Sequence, residues 1–211
     1  MSVSPPPMDS ALLAAGRQAK GFMPEAEGLA LYRAAARAGP EPIVEIGTYC
    51  GKSAVFLAAG ARLSQTVLFT IDHHRGSEEM QTGWDNHDSS LVDGTGRINS
   101  LPEFRRLVDE LSLHDVIVGV VGDAAVVGAS WNSRASLVFI DGGHGPIPAH
   151  ADYDLWAPHV ATGGVLAIHD VFPDPADGGR PPYEIYCRAL ESEMFEDLET
   201  VGSLRLLRRV S

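Results

Sequence analysis

Branched apolar side chains gather in five short runs along the chain, and each run predicts a buried β-strand. The five runs lie at 43–46, 66–71, 116–121, 137–140 and 163–168. The stretches between them carry apolar residues at helical spacing. These stretches predict helices over 53–60, 100–111, 124–130, 148–158 and 183–193. Strands that alternate with helices indicate an α/β fold with a mostly parallel sheet, right-handed crossovers and helices on both faces.

Both ends of the chain depart from this alternation. Residues 1–8 are rich in proline and are expected to be disordered, whereas 9–39 predict two helices before the first strand. At the other end, two strand-like runs flank Gly202 and predict an antiparallel hairpin, which brings the predicted sheet to seven strands. A chain of 211 residues is long enough for one such domain, so we expect a single domain over 1–211.

The longest stretch without a clear period is 73–96, which contains four glycines and Trp84. A loop of this length inside a compact domain is usually functional or disordered. We interpret it as a lid over an active site, with Trp84 as one wall. A mobile surface insertion is the alternative.

The first predicted strand runs directly into a glycine-rich turn, which reads E-I-G-T-Y-C-G-K-S over 45–53. A phosphate-binding P-loop needs four residues between its first glycine and the Gly-Lys-Ser, but only three separate Gly47 from Gly51. The dinucleotide fingerprint G-x-G-x-x-G fails too, because Tyr49 stands where its second glycine belongs. A strand, a glycine turn and a helix still form a place where open α/β sheets bind nucleotides. A plain turn over a buried glutamate is the alternative.

The charge of the chain narrows the classes of partner. A formal net charge of −12 argues against nucleic acids, whose phosphates need clustered Lys and Arg, and against anionic membranes. Two cysteines are too few for a disulfide framework and fit a reducing cytoplasm. The first residues show neither the basic nor the apolar region of a signal peptide, so a cytoplasmic location is expected.

Ionisable residues follow all five predicted strands of the parallel part. They are Glu45, Asp72, Asp123, Asp141 and the pair His169-Asp170. The carboxyl ends of parallel strands meet at one edge of a sheet, which is where ligands bind in open α/β folds. A single acid at such a place is often only the N-cap of the next helix, and Asp123 before A-A-V-V fits that alternative well. Helix caps alone do not account for the whole row.

Three segments together give a specific resemblance. The turn at 45–53 resembles motif I of the class I S-adenosylmethionine-dependent methyltransferases. The segments F-I-D-G-G-H at 139–144 and L-A-I-H-D-V at 166–171 resemble the D-x-x-H and H-D motifs of the small-molecule O-methyltransferases in that superfamily. The similarity runs from about residue 21 to 209. It implies a Rossmann-like sheet in which the seventh strand lies antiparallel beside the fifth.

The resemblance also implies where the cofactor S-adenosyl-L-methionine binds. Asp72 would accept the ribose hydroxyls, Asp123 the adenine amine, and Glu45 or Asp141 the methionyl ammonium. Tyr49 and Ala124 would flank the purine and the chain. The full set of implied cofactor contacts is Glu45, Gly47, Thr48, Tyr49, Ser53, Asp72, Gly122, Asp123, Ala124 and Asp141.

Methyl transfer needs an acceptor oxygen placed in line with the methyl group and a base that removes its proton. We expect His144 to be that base and Asp141 to belong to the catalytic site; a surface-loop histidine is the alternative. Asp141, His169 and Asp170 are also candidate ligands for Mg²⁺ or Mn²⁺. Related metal-dependent enzymes have an Asn or Asp as a third ligand where this chain has Val171, so a metal would depend on His169 or His144.

The sequence therefore predicts an O-methyltransferase that acts on a small polar acceptor. The resemblance favours a mannoside-like sugar, as in the sugar 1-O-methyltransferases of polysaccharide synthesis, and the N-terminal helices are a candidate homodimer surface. An NAD(P)-dependent oxidoreductase of related fold is one alternative, although the missing glycine fingerprint and the terminal hairpin disfavour it. A non-catalytic cofactor-binding module is the other.

Overall fold

A computed structural model describes residues 4–84, 86–143 and 145–211. Seven helices and seven strands of this part form one α/β unit. In chain order they are α1 Ser10–Gln18, α2 Glu25–Ala35, β1 Ile43–Ile46, α3 Lys52–Ser64, β2 Leu68–Asp72, α4 Leu101–Glu110, β3 Ile117–Val121, α5 Ala124–Gly128, β4 Ala135–Ile140, α6 Pro146–Trp156, β5 Val160–Ile168, α7 Arg180–Glu191, β6 Phe195–Val201 and β7 Leu204–Arg209. Single 3₁₀ turns lie at Glu78–Met80, Ser89–Leu91 and Ala157–His159.

The seven strands form one sheet in the order β3-β2-β1-β4-β5-β7-β6. The first five strands are parallel, and β7 pairs antiparallel with both β5 and β6. This arrangement confirms the predicted Rossmann-like methyltransferase sheet with its closing hairpin. The order reverses between β1 and β4, so the two crossovers that leave this point run in opposite directions. A crevice opens there at the carboxyl edge.

Helices cover both faces of the sheet because the central strands are apolar on both sides. On β1, Ile43 belongs to the core beneath α2, α3 and α4, while Val44 and Ile46 belong to the core beneath α6 and α7. Trp156 of α6 is fully buried in the second core. No helix in the described ranges combines the length and the apolar composition that a membrane span requires.

The helix predicted to stop at Gly60 continues for another turn to Ser64. Gly60 lies where α3 crosses α2, and a Cβ there would stand 2.6 Å from the Tyr32 carbonyl oxygen and 2.5 Å from the Ala35 Cβ. The glycine therefore serves close helix packing and does not end the helix. The actual end is Gln65, which adopts a left-handed conformation as C-cap.

The segment 73–96 contains more local structure than its sequence predicted. Two 3₁₀ turns interrupt it, and Val92 forms an isolated bridge with Ile98. Trp84 is 54% exposed and lines the crevice. The described end of the proline-rich N-terminus contacts the fold, since Met8 is buried and the Pro6 carbonyl accepts a hydrogen bond from Tyr32.

Candidate functional site

A cavity of about 940 Å³ occupies the crevice at the carboxyl edge of the sheet. Its floor consists of the ends of β1, β2, β4 and β5, and its walls come from the α1–α2 turn, the 73–96 segment and the first turns of α5, α6 and α7. Five aspartates and two glutamates line it, against two lysines. A cavity with this balance favours a ligand that carries positive charge.

The glycine-rich turn takes a conformation that explains its two glycines. Gly47 and Gly51 have φ values of 95° and 93°, which glycine adopts without steric cost. A Cβ on Gly47 would stand 2.1 Å from the Asp141 carbonyl oxygen, so only glycine allows the turn to lie against the end of β4. Tyr49 also has a positive φ and stacks on Phe22, with ring centroids 5.8 Å apart.

Asp72 holds this turn in place from the end of β2. Its Oδ2 accepts hydrogen bonds from the amide groups of Thr48, at 3.0 Å, and Tyr49, at 2.7 Å. Its Oδ1 accepts from the His74 amide at 2.7 Å. Each carboxylate oxygen can accept more than one bond. Asp72 lines the cavity and can therefore receive a ligand hydroxyl in addition to the turn.

Glu45 does not reach the cavity, which corrects its predicted contact with a ligand ammonium. Its side chain is 0% exposed and is enclosed beneath the turn. It accepts hydrogen bonds from the hydroxyls of Ser53 and Thr70, both at 2.5 Å, and Thr70 in turn bonds the Thr48 hydroxyl. Burial raises the pKa of Glu45 to about 8, so the neutral acid predominates at pH 7. Glu45 supports the turn and the start of α3 from below.

Asp123 caps a helix, as the alternative interpretation of the sequence held. Its Oδ1 accepts from the amides of Ala125, at 2.9 Å, and Val126, at 3.2 Å, at the start of α5. Gly122, Asp123 and Ala124 nevertheless line the cavity, so the residues predicted for the adenine end are together in the structure. The contact predicted between Asp123 and an amine therefore depends on the oxygen that the cap leaves open.

The acids at the ends of β4 and β5 surround one buried histidine. His169 Nδ1 lies 3.0 Å from Asp141 Oδ1 and 3.4 Å from Asp170 Oδ2. Its Nε2 lies 2.7 Å from Glu27 Oε2, which comes from α2. Glu27 is 2% and His169 4% exposed, so this contact is shielded from solvent. Glu27 Oε1 also accepts from the Ser203 amide at 2.7 Å, in the turn between β6 and β7.

The charges of this cluster are strongly coupled. Burial by itself would lower the pKa of His169, but the carboxylates of Asp141, Asp170 and Glu27 outweigh it and raise that pKa to about 12. Burial would likewise raise the pKa of Glu27, but the hydrogen bonds from His169 and Ser203 hold it below its usual range. Without a cation, the ring is therefore protonated on both nitrogens.

The same residues fit a divalent cation. One ligand atom from each of Asp141, His169 and Asp170 can be chosen so that all lie within 4.8 Å of one another. Adjacent ligands of an octahedral Mg²⁺ or Mn²⁺ stand about 3 Å apart, given bonds of about 2.1 Å. Glu27 would keep the proton on His169 Nε2 and leave Nδ1 for the metal, which is the usual carboxylate–histidine–metal arrangement. Val171 is fully buried and cannot contribute a ligand.

His144, the predicted base, lies outside the described residues, so its role stays a prediction. Two cavity-related acids were missed by the sequence interpretation: Glu27 and Asp152. Both occupy the apolar side of a helix, Glu27 four residues before Leu31 and Asp152 four before Trp156. An acid at a buried helical position was the signal that could have identified them, because such a group needs a buried partner or a function.

Comparisons with known proteins identify the family of this chain and solved structures of similar fold. A family described as "Methyltransferase domain" matches residues 44–171. Similar solved structures include the O-methyltransferase NovP, with a TM-score of 0.70 and 14% identity over 95% of this chain and 88% of that one. They also include TomG from Streptomyces achromogenes, an O-methyltransferase of tomaymycin synthesis solved with SAM (TM-score 0.64, 16% identity, 96% and 91% covered). A third is an O-methyltransferase from Bacillus cereus solved with SAH (0.63, 18%, 96% and 92%).

These structures share the fold of this chain, and the family match extends from β1 to the residue after the H-D pair at the end of β5. That range includes the glycine turn and the row of strand-end acids from Glu45 to Asp170. The chain therefore belongs to the methyltransferase-domain family.

Proposed function

We propose that this protein is an S-adenosyl-L-methionine-dependent O-methyltransferase that acts on a hydroxyl group of a small polar acceptor. One observation carries the proposal: the acidic cavity lies at the point where the sheet order reverses, and the glycine turn of the matched family lines it. S-adenosylmethionine is positively charged at its sulfonium and ammonium groups, which an acidic cavity favours. SAM or SAH is present in several similar structures.

In this proposal the cofactor extends from α5 to the end of β4. Asp72 accepts the ribose hydroxyls with the lone pairs that the turn leaves open. Ala124 and Gly122 border the adenine, and Tyr49 with Thr48 and Gly47 borders the methionyl part. The ammonium group lies nearest Asp141, because Glu45 and Ser53 are bonded to each other below the turn.

The methyl group then faces the cluster at the ends of β4 and β5. The acceptor oxygen attacks the methyl carbon in line with the departing sulfur, so most of the acceleration comes from placement. His144 is our candidate for the base that takes the hydroxyl proton. Asp141, His169 and Asp170 would hold a Mg²⁺ or Mn²⁺ ion, which when bound lowers the pKa of an acceptor hydroxyl. The carboxylates also position neighbouring hydroxyl groups directly.

We propose a sugar, of mannoside type, as the acceptor. Carboxylates and a histidine on one side of the cavity suit a ligand with several adjacent hydroxyl groups, as a polyol has. Glu78 and Glu79 of the 73–96 segment also line the cavity and add further carboxylates. A sugar 1-O-methyltransferase is the specific form of this proposal. A homodimer is our proposal for the assembly, and sedimentation velocity at several concentrations tests it.

The first experiment is a calorimetric titration with S-adenosylhomocysteine, run once with Mg²⁺ and once with EDTA. The expected result is saturable binding at one site per chain in both buffers. NADH, titrated in the same way, is expected to give no saturable heat. Methyl transfer from S-adenosylmethionine is then measured with a panel of mannosides and other sugars, again with Mg²⁺ or EDTA.

Each outcome separates the components of the proposal. No binding of S-adenosylhomocysteine by folded protein would contradict the cofactor assignment, and saturable NADH binding would support the oxidoreductase instead. Cofactor binding without transfer to any hydroxyl compound would support a non-catalytic module. Transfer that EDTA leaves unchanged would contradict the metal site but not the methyltransferase.

A further inference from the structure

Asp152 is a buried acid at the edge of the cavity that none of the roles above uses. It lies in the second turn of α6 and is only 6% exposed. Its carboxyl group occupies the space beside Gly142, where an added Cβ would stand 2.7 Å from Asp152 Oδ2. Asp152 and its neighbour Ala151 both line the cavity. The carboxyl group is therefore shielded from bulk solvent while it borders the ligand site.

No hydrogen bond or ion pair from the described residues reaches this carboxyl group, in contrast to Asp72, Asp123 and Glu45. A buried polar group without a partner is costly, and folded proteins keep few of them. Burial, with the nearby charge of Asp123, raises the pKa of Asp152 to about 7. The carboxyl group is thus available to a ligand in the cavity, and it exists in part as a neutral acid at neutral pH.

Its neighbours locate Asp152 at one end of the cavity. Among the acids that follow the strands, only Asp123 acts on it electrostatically. The helices α5 and α6 pack together there, and the Trp156 indole donates to the Ala124 carbonyl oxygen at 3.3 Å. Under the proposed function this is the adenine end, next to Ala124. Asp123, which was predicted to receive the adenine amine, already uses one oxygen as the cap of α5.

We propose that Asp152 is the residue that recognises the amino edge of the cofactor's adenine. The adenine N6 amine donates to one carboxyl oxygen. The neutral acid also donates its proton to N1, which gives two parallel hydrogen bonds. The inference rests on the proposed function, since it requires S-adenosylmethionine in this cavity. It assigns the recognition of adenine to α6 and not to the end of β3.

The 6-deamino analogue of S-adenosylhomocysteine, which carries purine in place of adenine, tests this assignment, because it lacks the N6 amine and keeps N1. Calorimetry at pH 7 compares its affinity with that of S-adenosylhomocysteine. Wild-type protein is expected to bind the adenosine compound at least about 10-fold more tightly, since the mismatched ligand leaves buried polar groups unpaired. Asp152→Ala is expected to lose about 10-fold in affinity for the adenosine compound and most of the discrimination.

Asp152→Asn provides the second variant, because an amide offers one donor and one acceptor at the same place. It is expected to keep the affinity for S-adenosylhomocysteine within about 3-fold and to discriminate against the deamino compound as wild type does, because its amide oxygen accepts from N6 and its amide nitrogen donates to N1. Asp154→Asn, which changes an exposed acid of the same helix paired with Arg188, is the matched control and should leave both affinities unchanged.

The outcomes distinguish this inference from the function on which it rests. If wild-type protein binds neither compound, the cofactor assignment is wrong. If wild type binds S-adenosylhomocysteine and the folded Asp152→Ala variant discriminates as wild type does, adenine is recognised elsewhere and the inference is wrong. Circular dichroism of each variant establishes that it is folded.

Discussion

His169 has a carboxylate at each ring nitrogen, and this constraint fixes the orientation of the residue between the two strand ends. Asp141 lies on the Nδ1 side at 3.0 Å, and Glu27 lies on the Nε2 side at 2.7 Å. Glu27 comes from α2, 142 residues earlier in the chain. Glu27 therefore determines that Nδ1 of His169 faces Asp141 and Asp170, and it does not line the cofactor cavity itself.

We expect Glu27→Gln to weaken Mn²⁺ binding by about 10- to 100-fold, which is typical for loss of a carboxylate behind a ligating histidine. An amide cannot accept from both His169 and Ser203 as the carboxylate does, so the Nε2 proton loses its acceptor or the Ser203 amide loses its own. Electron paramagnetic resonance of free Mn²⁺ measures the affinity. The affinity for S-adenosylhomocysteine in EDTA should change by less than about 3-fold.

Glu25→Gln is the matched control for this experiment. Glu25 lies in the same helical turn, but its side chain is 40% exposed and pairs with Arg17 at 2.5 Å. It should leave Mn²⁺ binding unaltered. Equal Mn²⁺ affinity in wild type and in folded Glu27→Gln protein would mean that Glu27 does not position the site, and no Mn²⁺ binding by wild type would exclude the cation site itself.

At the scale of elements, the hairpin β6–β7 is joined to α2 through the same glutamate. Gly202 begins the turn between the two strands with a φ of 55°, and Glu27 Oε1 accepts from the amide and the hydroxyl of the next residue, Ser203. A Cβ on Gly202 would stand 2.2 Å from that same oxygen. The turn therefore needs glycine for its backbone conformation and for the space that Glu27 occupies.

Gly202→Ala should accordingly destabilise the protein more than Gly163→Ala does. Gly163 also has a positive φ, of 81°, but nothing lies within 4 Å of a Cβ there. The Gly163 variant is expected to lose about 1 to 2 kcal/mol from backbone strain alone. The Gly202 variant should lose on the order of 1 to 3 kcal/mol more, because Glu27 must leave its buried hydrogen bonds. Urea unfolding measures both, and equal losses would contradict the coupling.

The sequence predicted elements better than it predicted contacts between them. The parallel strands were located to within three residues at either end because branched apolar runs are a local signal. Gly60 was wrongly taken as a helix end, since its partner across the helix crossing, Ala35, is distant in sequence. The row of strand-end acids was predicted because each acid directly follows a local apolar run. The contact of His169 with Glu27 was not predicted, because the two residues are 142 positions apart. Local sequence gives the edge of a sheet, whereas tertiary packing decides which acids reach the cavity.

For the whole molecule, the distribution of acids makes stability depend on pH in a defined direction. The chain has a formal net charge of −12, and many of its acids surround the single sheet edge. Two of them, Glu45 and Asp152, have pKa values raised to about 8 and about 7 in the folded protein. Each binds its proton more tightly when folded than when unfolded. Their contribution to stability is complete below about pH 4 and decreases as the pH rises toward the folded values.

Glu45→Gln isolates the largest part of this effect. Glutamine resembles the neutral acid and can still bond the hydroxyls of Ser53 and Thr70, but it does not ionise. The unfolding free energy of wild type should fall relative to that of the variant between pH 5 and pH 8, by on the order of 1 kcal/mol per pH unit. Urea unfolding at pH 5, 6, 7 and 8 measures the difference.

The exposed Glu191 provides the matched control, and Glu191→Gln should leave the difference from wild type independent of pH over this range. A difference in stability between Glu45→Gln and wild type that stays independent of pH from 5 to 8 would show that the buried group is already a carboxylate. The glycine turn would then rest on a buried negative charge, which would repel Asp72 and Asp141 across the turn. A neutral Glu45 avoids that repulsion, which is why the three acids can stand so close beneath one cofactor site.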